Sequence, residues 1–144
     1  MDYTPLAIEW LQKMHLLRQA RVQRNINSSL HGEAFILHFI ARRKDAVLPS
    51  DISRNMGVSS AMVAATLNRL ESKGLITRQI DQNDRRRILV KTTQEGNDLA
   101  DKHYQSVLSA AEKMLSLLGE RDAQDYIRLT GKLADIVSAH KEHL

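Results

Sequence analysis

Residues 59–93 read SSAMVAATLNRLESKGLITRQIDQNDRRRILVKTT. A serine at 59 or 60 can cap a helix by accepting from its first free backbone N–H groups. Val63, Leu67 and Leu70 then recur at spacings of four and three, which places them on one helical face. Gly74, just past the last apolar position, suits the left-handed backbone that ends a helix. Leu75, Ile76 and Ile80 on one side, and Ile88, Leu89 and Val90 on the other, flank the turn-forming Gln82-Asn83-Asp84. Arg85, Arg86 and Arg87 stand at that tip. A helix, a glycine stop and a hairpin with an arginine-rich tip predict a winged helix that grips a polyanion.

The segment upstream supports this. In Leu48-Pro49-Ser50-Asp51-Ile52-Ser53-Arg54-Asn55-Met56-Gly57-Val58, Ser50 is expected to cap a short helix with Ile52 and Met56 on its buried side. Gly57 then breaks it before the helix at Ser59. Two helices around a glycine turn make a helix-turn-helix.

Charge points the same way. The chain of 144 residues has a formal net charge of +4. Residues 49–93 hold eight basic and four acidic side chains, and the rest of the chain is balanced. All the excess positive charge therefore lies in the window that carries the motif, the footprint of a nucleic-acid-binding module. A solvated charged face is the plainer alternative.

Elsewhere the pattern is helical. Residues 3–25 carry Leu6, Trp10, Leu11, Met14 and Leu17 on one face, with Thr4 expected to cap and Pro5 at the first helical position. Asn25–Ser29 reads as a connection. A second helix is expected from about Gly32 to Lys44, apolar through Phe35, Ile36, Leu37, Phe39 and Ile40, and ending in Arg42-Arg43-Lys44. After Thr93, read with Gly96 as a cap, an apolar stripe runs from Leu99 to Leu118. A last helix occupies about 121–141. The long terminal helices hold more apolar surface than one small domain covers. A second copy of the chain is expected to cover it.

Composition excludes other classes. There are no cysteines, so disulfides and thiolate zinc sites are out. No apolar run approaches the ~20 residues of a membrane helix. The amino-terminal residues do not resemble a secretory signal, which makes a cytoplasmic protein the default. No catalytic triad, carboxylate pair or phosphate loop is present, so no enzyme activity and no cofactor are expected. His140 and His143 stand three apart but at a helix end expected to fray, and His31, His38 and His103 have no nearby Cys and few acids in register, so no metal is expected.

With these features in view, the chain resembles the MarR family of transcriptional regulators. The resemblance is most specific at Leu70-Glu71-x-Lys73-Gly74-Leu75-Ile76-x-Arg78 and at Asp81-x-x-Asp84-Arg85-Arg86, followed by Thr93 and Gly96. It implies a mainly α fold with a small β-hairpin wing. Residues 31–96 would form a winged helix-turn-helix DNA-binding domain, and residues 1–30 and 97–144 a helical dimerisation region. The implied function is that of a homodimeric, sequence-specific regulator, a repressor of a pseudo-palindromic operator in double-stranded DNA. The helix at 59–73 would enter the major groove and the wing the adjacent minor groove.

The expected DNA-binding residues are Ser59, Ser60, Met62, Thr66 and Arg69 on the helix and Asp84, Arg85, Arg86 and Arg87 in the wing. In the wing a carboxylate is expected to hold one arginine while another enters the groove. The resemblance also implies relief by a small aromatic or phenolic acid, for which Trp10, Met14, Arg18 and His38 are candidates. Two features depart from the family pattern. Ala64-Ala65 stands where a Ser or Thr followed by Arg is usual, and Thr92 replaces a leucine. Alanine touches a thymine methyl but cannot read guanine. That motivates the alternative reading, a winged-helix protein-interaction module that has lost DNA reading.

Overall fold

The computed structural model describes residues 1–21, 23, 24, 26 and 32–140. They form α1 (Thr4–Gln19), α2 (Gly32–Ala41), α3 (Pro49–Met56), α4 (Ser60–Ser72), β1 (Ile76–Ile80), β2 (Ile88–Thr92), α5 (Gln94–Ser116) and α6 (Glu120–Ala139). The fold is mainly α with one antiparallel hairpin, in which Ile76 faces Thr92 and Ile80 faces Ile88. The chain divides into two compact units, residues 1–108 and 109–144, with the boundary inside α5.

The core lies in the first unit. The near-continuous apolar run of α2 buries Ile36, Leu37 and Ile40, which cluster with Ile52 of α3, Val63, Leu67 and Leu70 of α4, and Ile76 and Val90 of the hairpin. A third strand-like contact was not legible in the sequence. Val47 and Val90 exchange both backbone hydrogen bonds, at 2.9 and 2.8 Å. This pair ties the segment before α3 to the middle of β2, where Val90 is fully buried.

Several helix ends differ from expectation. Tyr3, not Thr4, is the N-cap of α1, and the Thr4 N–H donates to Asp2 Oδ1 at 2.9 Å. The helix is interrupted at Ala20, which is extended, and Arg21, Gln23, Arg24 and Ile26 beyond it are again helical. Leu48, not Ser50, is the N-cap of α3. Pro49 takes the first helical position, and the Asp51 carboxylate accepts the Leu48 N–H at 3.2 Å. Helix α2 ends at Ala41, three residues before Lys44, and α5 ends at Ser116. The connection expected at Asn25–Ser29 lies, apart from Ile26, outside the described residues, as do His31 and His143.

Helix α1 buries none of its residues, and Trp10 is 57% exposed. In the second unit α6 also buries none, and Tyr126, Ile127, Leu129, Leu133, Ile136 and Val137 are all exposed. No helix among the described residues is long and apolar enough to cross a membrane.

Candidate nucleic-acid interface

Helix α4 starts where the sequence indicates. Ser59 is extended, and its Oγ accepts the Met62 N–H at 3.1 Å. Val63, Leu67 and Leu70 face the core as expected. Thr66 does too, and it is fully buried. It was expected on the DNA side, but it sits three residues beyond Val63 and beside Leu67, which brings it inward. Its Oγ1 accepts from Arg69 Nη2 at 3.1 Å instead of facing solvent. Ser59, Ser60 and Met62 are exposed, as are Ala61, Ala64, Ala65 and Asn68. Asn68 is the residue that sequence reasoning passed over. It lies opposite the buried row, and the same periodicity that found the core would have found it.

Arg69 is exposed but engaged. Its Nε donates to Glu33 Oε2 of α2 at 3.2 Å, and Lys73 Nζ donates to Oε1 of the same carboxylate. Arg78 of β1 is likewise engaged, through a two-pronged pair with Glu71 of α4 at 3.0 and 2.9 Å. The basic window is therefore less open than its charge count suggests. Glu33, which neutralises two of its members, lies outside the window in sequence.

The wing tip is built by two aspartates. Asp81 Oδ1 accepts the Asn83 N–H at 2.9 Å, and the Asp81 N–H donates to the Arg87 carbonyl at 3.0 Å. Asp84 Oδ1 accepts both the backbone N–H and Nε of Arg86, each at 3.1 Å, and Oδ2 lies 3.4 Å from Nη2. Arg87 Nε stands 3.8 Å from Asp81 Oδ2. Arg85 makes no ion pair among the described residues. The Arg86 side chain is 91% exposed even though it is paired, so the pair orients the guanidinium without burying it.

The helix and wing are welded at Gly74. The Gly74 N–H donates to the Glu71 carbonyl (2.9 Å) and the Leu75 N–H to the Leu70 carbonyl (3.0 Å). These two bonds close the helix end around a left-handed residue at φ +72°. From the far strand, Thr93 Oγ1 donates to the Gly74 carbonyl (2.7 Å) and accepts the Gly96 N–H (3.0 Å), as expected of a cap. One threonine thus ties the start of α5 to the end of α4.

The ion pairs make this region acid-sensitive. Lys73, then Arg69, holds the Glu33 carboxyl below its ordinary value of 4.5. Arg78 does the same for Glu71, and Arg86 for Asp84 against an ordinary 3.8. A carboxyl depressed in the folded state adds stability above its unfolded value and loses it as pH falls through the folded one. The urea midpoint is therefore expected to hold from pH 7 to about 5 and to fall below the ordinary Glu value of 4.5. Glu71→Gln should shallow that acid limb. An unchanged limb would show the pair contributes nothing.

The effector candidates separate. Met14 and Arg18 line one hollow of about 350 Å³ with Leu11, His15, Leu17 and Gln23. Trp10 and His38 do not line it. His38 of α2 instead stacks on Tyr104 of α5, with ring centres 5.1 Å apart. Burial, reinforced by Arg42, pushes its imidazole pKa down. Among the described residues no three His, Cys, Asp or Glu side chains group to hold a metal.

Comparison with known proteins agrees with this architecture. A family model described as "MarR family" matches residues 29–87, which span α2 to the wing tip. An uncharacterised HTH-type transcriptional regulator of Bacillus subtilis, YwhA, is 25% identical over 126 residues, covering 88% of each chain. Among solved structures, the transcriptional repressor CouR bound to a 23-mer DNA duplex is similar at a TM-score of 0.70. Its identity is 21%, covering 95% of this chain and 98% of that one. The apo form of MarR from E. coli gives 0.66 at 22% identity, covering 85% and 94%. Residues 29–87, from α2 through the helix-turn-helix to the wing tip, thus match the MarR family of transcriptional regulators, and the winged helix-turn-helix fold of such regulators runs along most of the chain.

Proposed function

We propose that the chain is a homodimeric repressor that binds a pseudo-palindromic operator and is released by a small-molecule effector. Residues 31–96 would contact DNA, and residues 1–30 and 97–144 would dimerise. The observation that carries this reading is the wing tip, where Asp84 holds the backbone and guanidinium of Arg86 together and leaves that side chain almost fully exposed. Beside it, α4 offers its capped amino-terminal turn, with Ser59, Ser60 and Met62 exposed. Free N–H groups there suit a phosphate. The similarity to CouR, a repressor solved on a DNA duplex, supports the same role.

The exposed apolar faces of α1 and α6 support dimerisation, since monomers rarely leave surfaces of this kind uncovered. A two-fold dimer would present two α4 helices to half-sites one helical turn, ~34 Å, apart. An effector that favours another spacing would lower affinity. Met14 and Arg18, which line one hollow, would supply an apolar wall and a cation for a small acid.

The test is fluorescence anisotropy of the full chain on duplex DNA across a salt series, with the solution mass measured alongside. Affinity should fall by about 0.9 log units per tenfold salt for each phosphate neutralised, and the mass should be twice 16.4 kDa. No binding at low salt would remove the DNA reading. Should the protein then still capture a protein partner, exposed Ala64 and Ala65 would mark an interaction surface instead.

A further inference from the structure

Helix α4 carries two cations, Arg69 and Lys73, and both are held by one carboxylate. Glu33 lies in the first turn of α2, a different helix, and reaches Arg69 Nε at 3.2 Å through one oxygen and Lys73 Nζ through the other. Arg69 is fixed a second time by its bond to the buried Thr66 hydroxyl. The Glu33 side chain is 28% exposed, so the cluster is only partly open to screening salt. Arg69 and Lys73 remain 55% and 56% exposed, but the shared carboxylate offsets their charge and fixes the direction in which each points.

What remains on the outward side of α4 is chemically narrow. Ala61, Ala64 and Ala65 offer methyl groups, and Asn68 offers a carboxamide. In the major groove guanine is read mainly by a cation, adenine by the carboxamide of Asn or Gln, and the thymine methyl by small apolar side chains. Ser60, also exposed, can bond either pair, so with Arg69 and Lys73 held α4 keeps the carboxamide and methyl groups that favour A·T pairs and no free bidentate reader of guanine.

We infer that Glu33 is a specificity-determining positioning residue, which withholds Arg69 and Lys73 from the duplex and leaves α4 to read A·T pairs through Asn68 and its alanines. The inference rests on the DNA-binding reading above and adds the class of base pair recognised and the residue that sets it. Glu33 touches no DNA in this scheme. It acts through the two side chains it holds.

The test compares full-length parent, Glu33→Gln and Arg69→Gln. Each is used to select bound duplexes from a random pool, then titrated with salt on a selected and an unrelated duplex. The parent should enrich A·T pairs where α4 lies. Glu33→Gln should admit G·C pairs at those positions and bind the unrelated duplex about tenfold more tightly at low salt. Its salt slope should steepen by roughly 0.9 to 1.8, one or two further phosphates. Arg69→Gln should stay within about twofold of the parent on the selected duplex, because a residue outside the interface is not missed.

Uniformly weaker binding by Glu33→Gln at an unchanged slope would overturn the inference and leave Glu33 a structural residue. So would a tenfold loss in Arg69→Gln, or enrichment of guanine under α4 by the parent. A parent that binds no duplex at low salt removes the DNA reading itself. A parent that binds, with a Glu33→Gln variant indistinguishable from it, removes only this inference.

Discussion

Gly96→Ala is expected to be among the most damaging single-methyl changes in this chain. A Cβ at that position would lie 2.0 Å from the Leu75 carbonyl oxygen and 2.9 Å from its carbon. Both atoms are backbone, so no rotamer change relieves the clash. The Leu75 peptide cannot simply retreat. Its N–H donates to the Leu70 carbonyl and its oxygen accepts the Thr93 N–H, both at 3.0 Å. Moving it opens the end of α4 and the start of α5 together.

Inserting volume at a tight site costs typically 1–3 kcal/mol and sometimes more, and backbone overlap of this depth puts the expected loss at about 3 kcal/mol or above. The gain in helix propensity from glycine to alanine returns about 1 kcal/mol of it. Set against a total stability of about 5–15 kcal/mol, the net loss is large. Urea unfolding should show a lower midpoint at an unchanged slope. Gly131→Ala in α6 is the matched comparison, because nothing lies within 4 Å of a Cβ there. That change should stabilise by up to about 1 kcal/mol. Equal losses at the two sites would mean that the contact with Leu75 is not what makes Gly96 necessary.

The same junction shows what sequence could and could not reveal. Local signals were legible: the Ser59 cap, the Gly74 stop, the buried row at Val63, Leu67 and Leu70, and the hairpin around the arginines. Each depends on residues within a few positions of one another, where spacing alone determines the face or the backbone form. Thr66 was misread because a polar residue beside the apolar row was assumed to face outward. Burial with a satisfied hydroxyl is equally available to threonine. Tyr3 and Leu48 cap α1 and α3 without a side-chain hydrogen bond, so no capping side chain marks either start in the sequence.

Long-range partners were the larger gap. Glu33 and Lys73 are forty positions apart, and no periodicity connects them. Nor does any local pattern join Val47 to Val90. Charge counting located the basic window correctly but could not say which of its cations were already engaged. Arg69, Lys73 and Arg78 are tied to carboxylates of α2 or α4, Arg86 and Arg87 to aspartates of the tip itself, and Arg85 makes no ion pair among the described residues.

Arg86→Ala is expected to weaken duplex binding by about 1–3 kcal/mol, roughly ten- to hundredfold, the range of a specific groove contact. Ordering a long side chain at an interface costs about 0.5–1.5 kcal/mol. Asp84 has met much of that cost in advance, because it holds the backbone N–H and the guanidinium of Arg86 together. A narrow minor groove concentrates negative potential and favours an arginine presented this way. Arg85 has no such partner and should behave as a phosphate contact. Arg85→Ala should reduce the salt slope by about 0.9 and weaken all duplexes alike. Asp84→Asn then separates orientation from charge. It removes a negative charge beside a polyanion, so charge alone predicts tighter binding. Loss of the held geometry predicts weaker binding, by several-fold, despite the more favourable net charge. Anisotropy on one duplex reads the sign directly. If Asp84→Asn binds more tightly than the parent, the tip works as a loose cluster of cations and the ordering of Arg86 does not contribute to recognition.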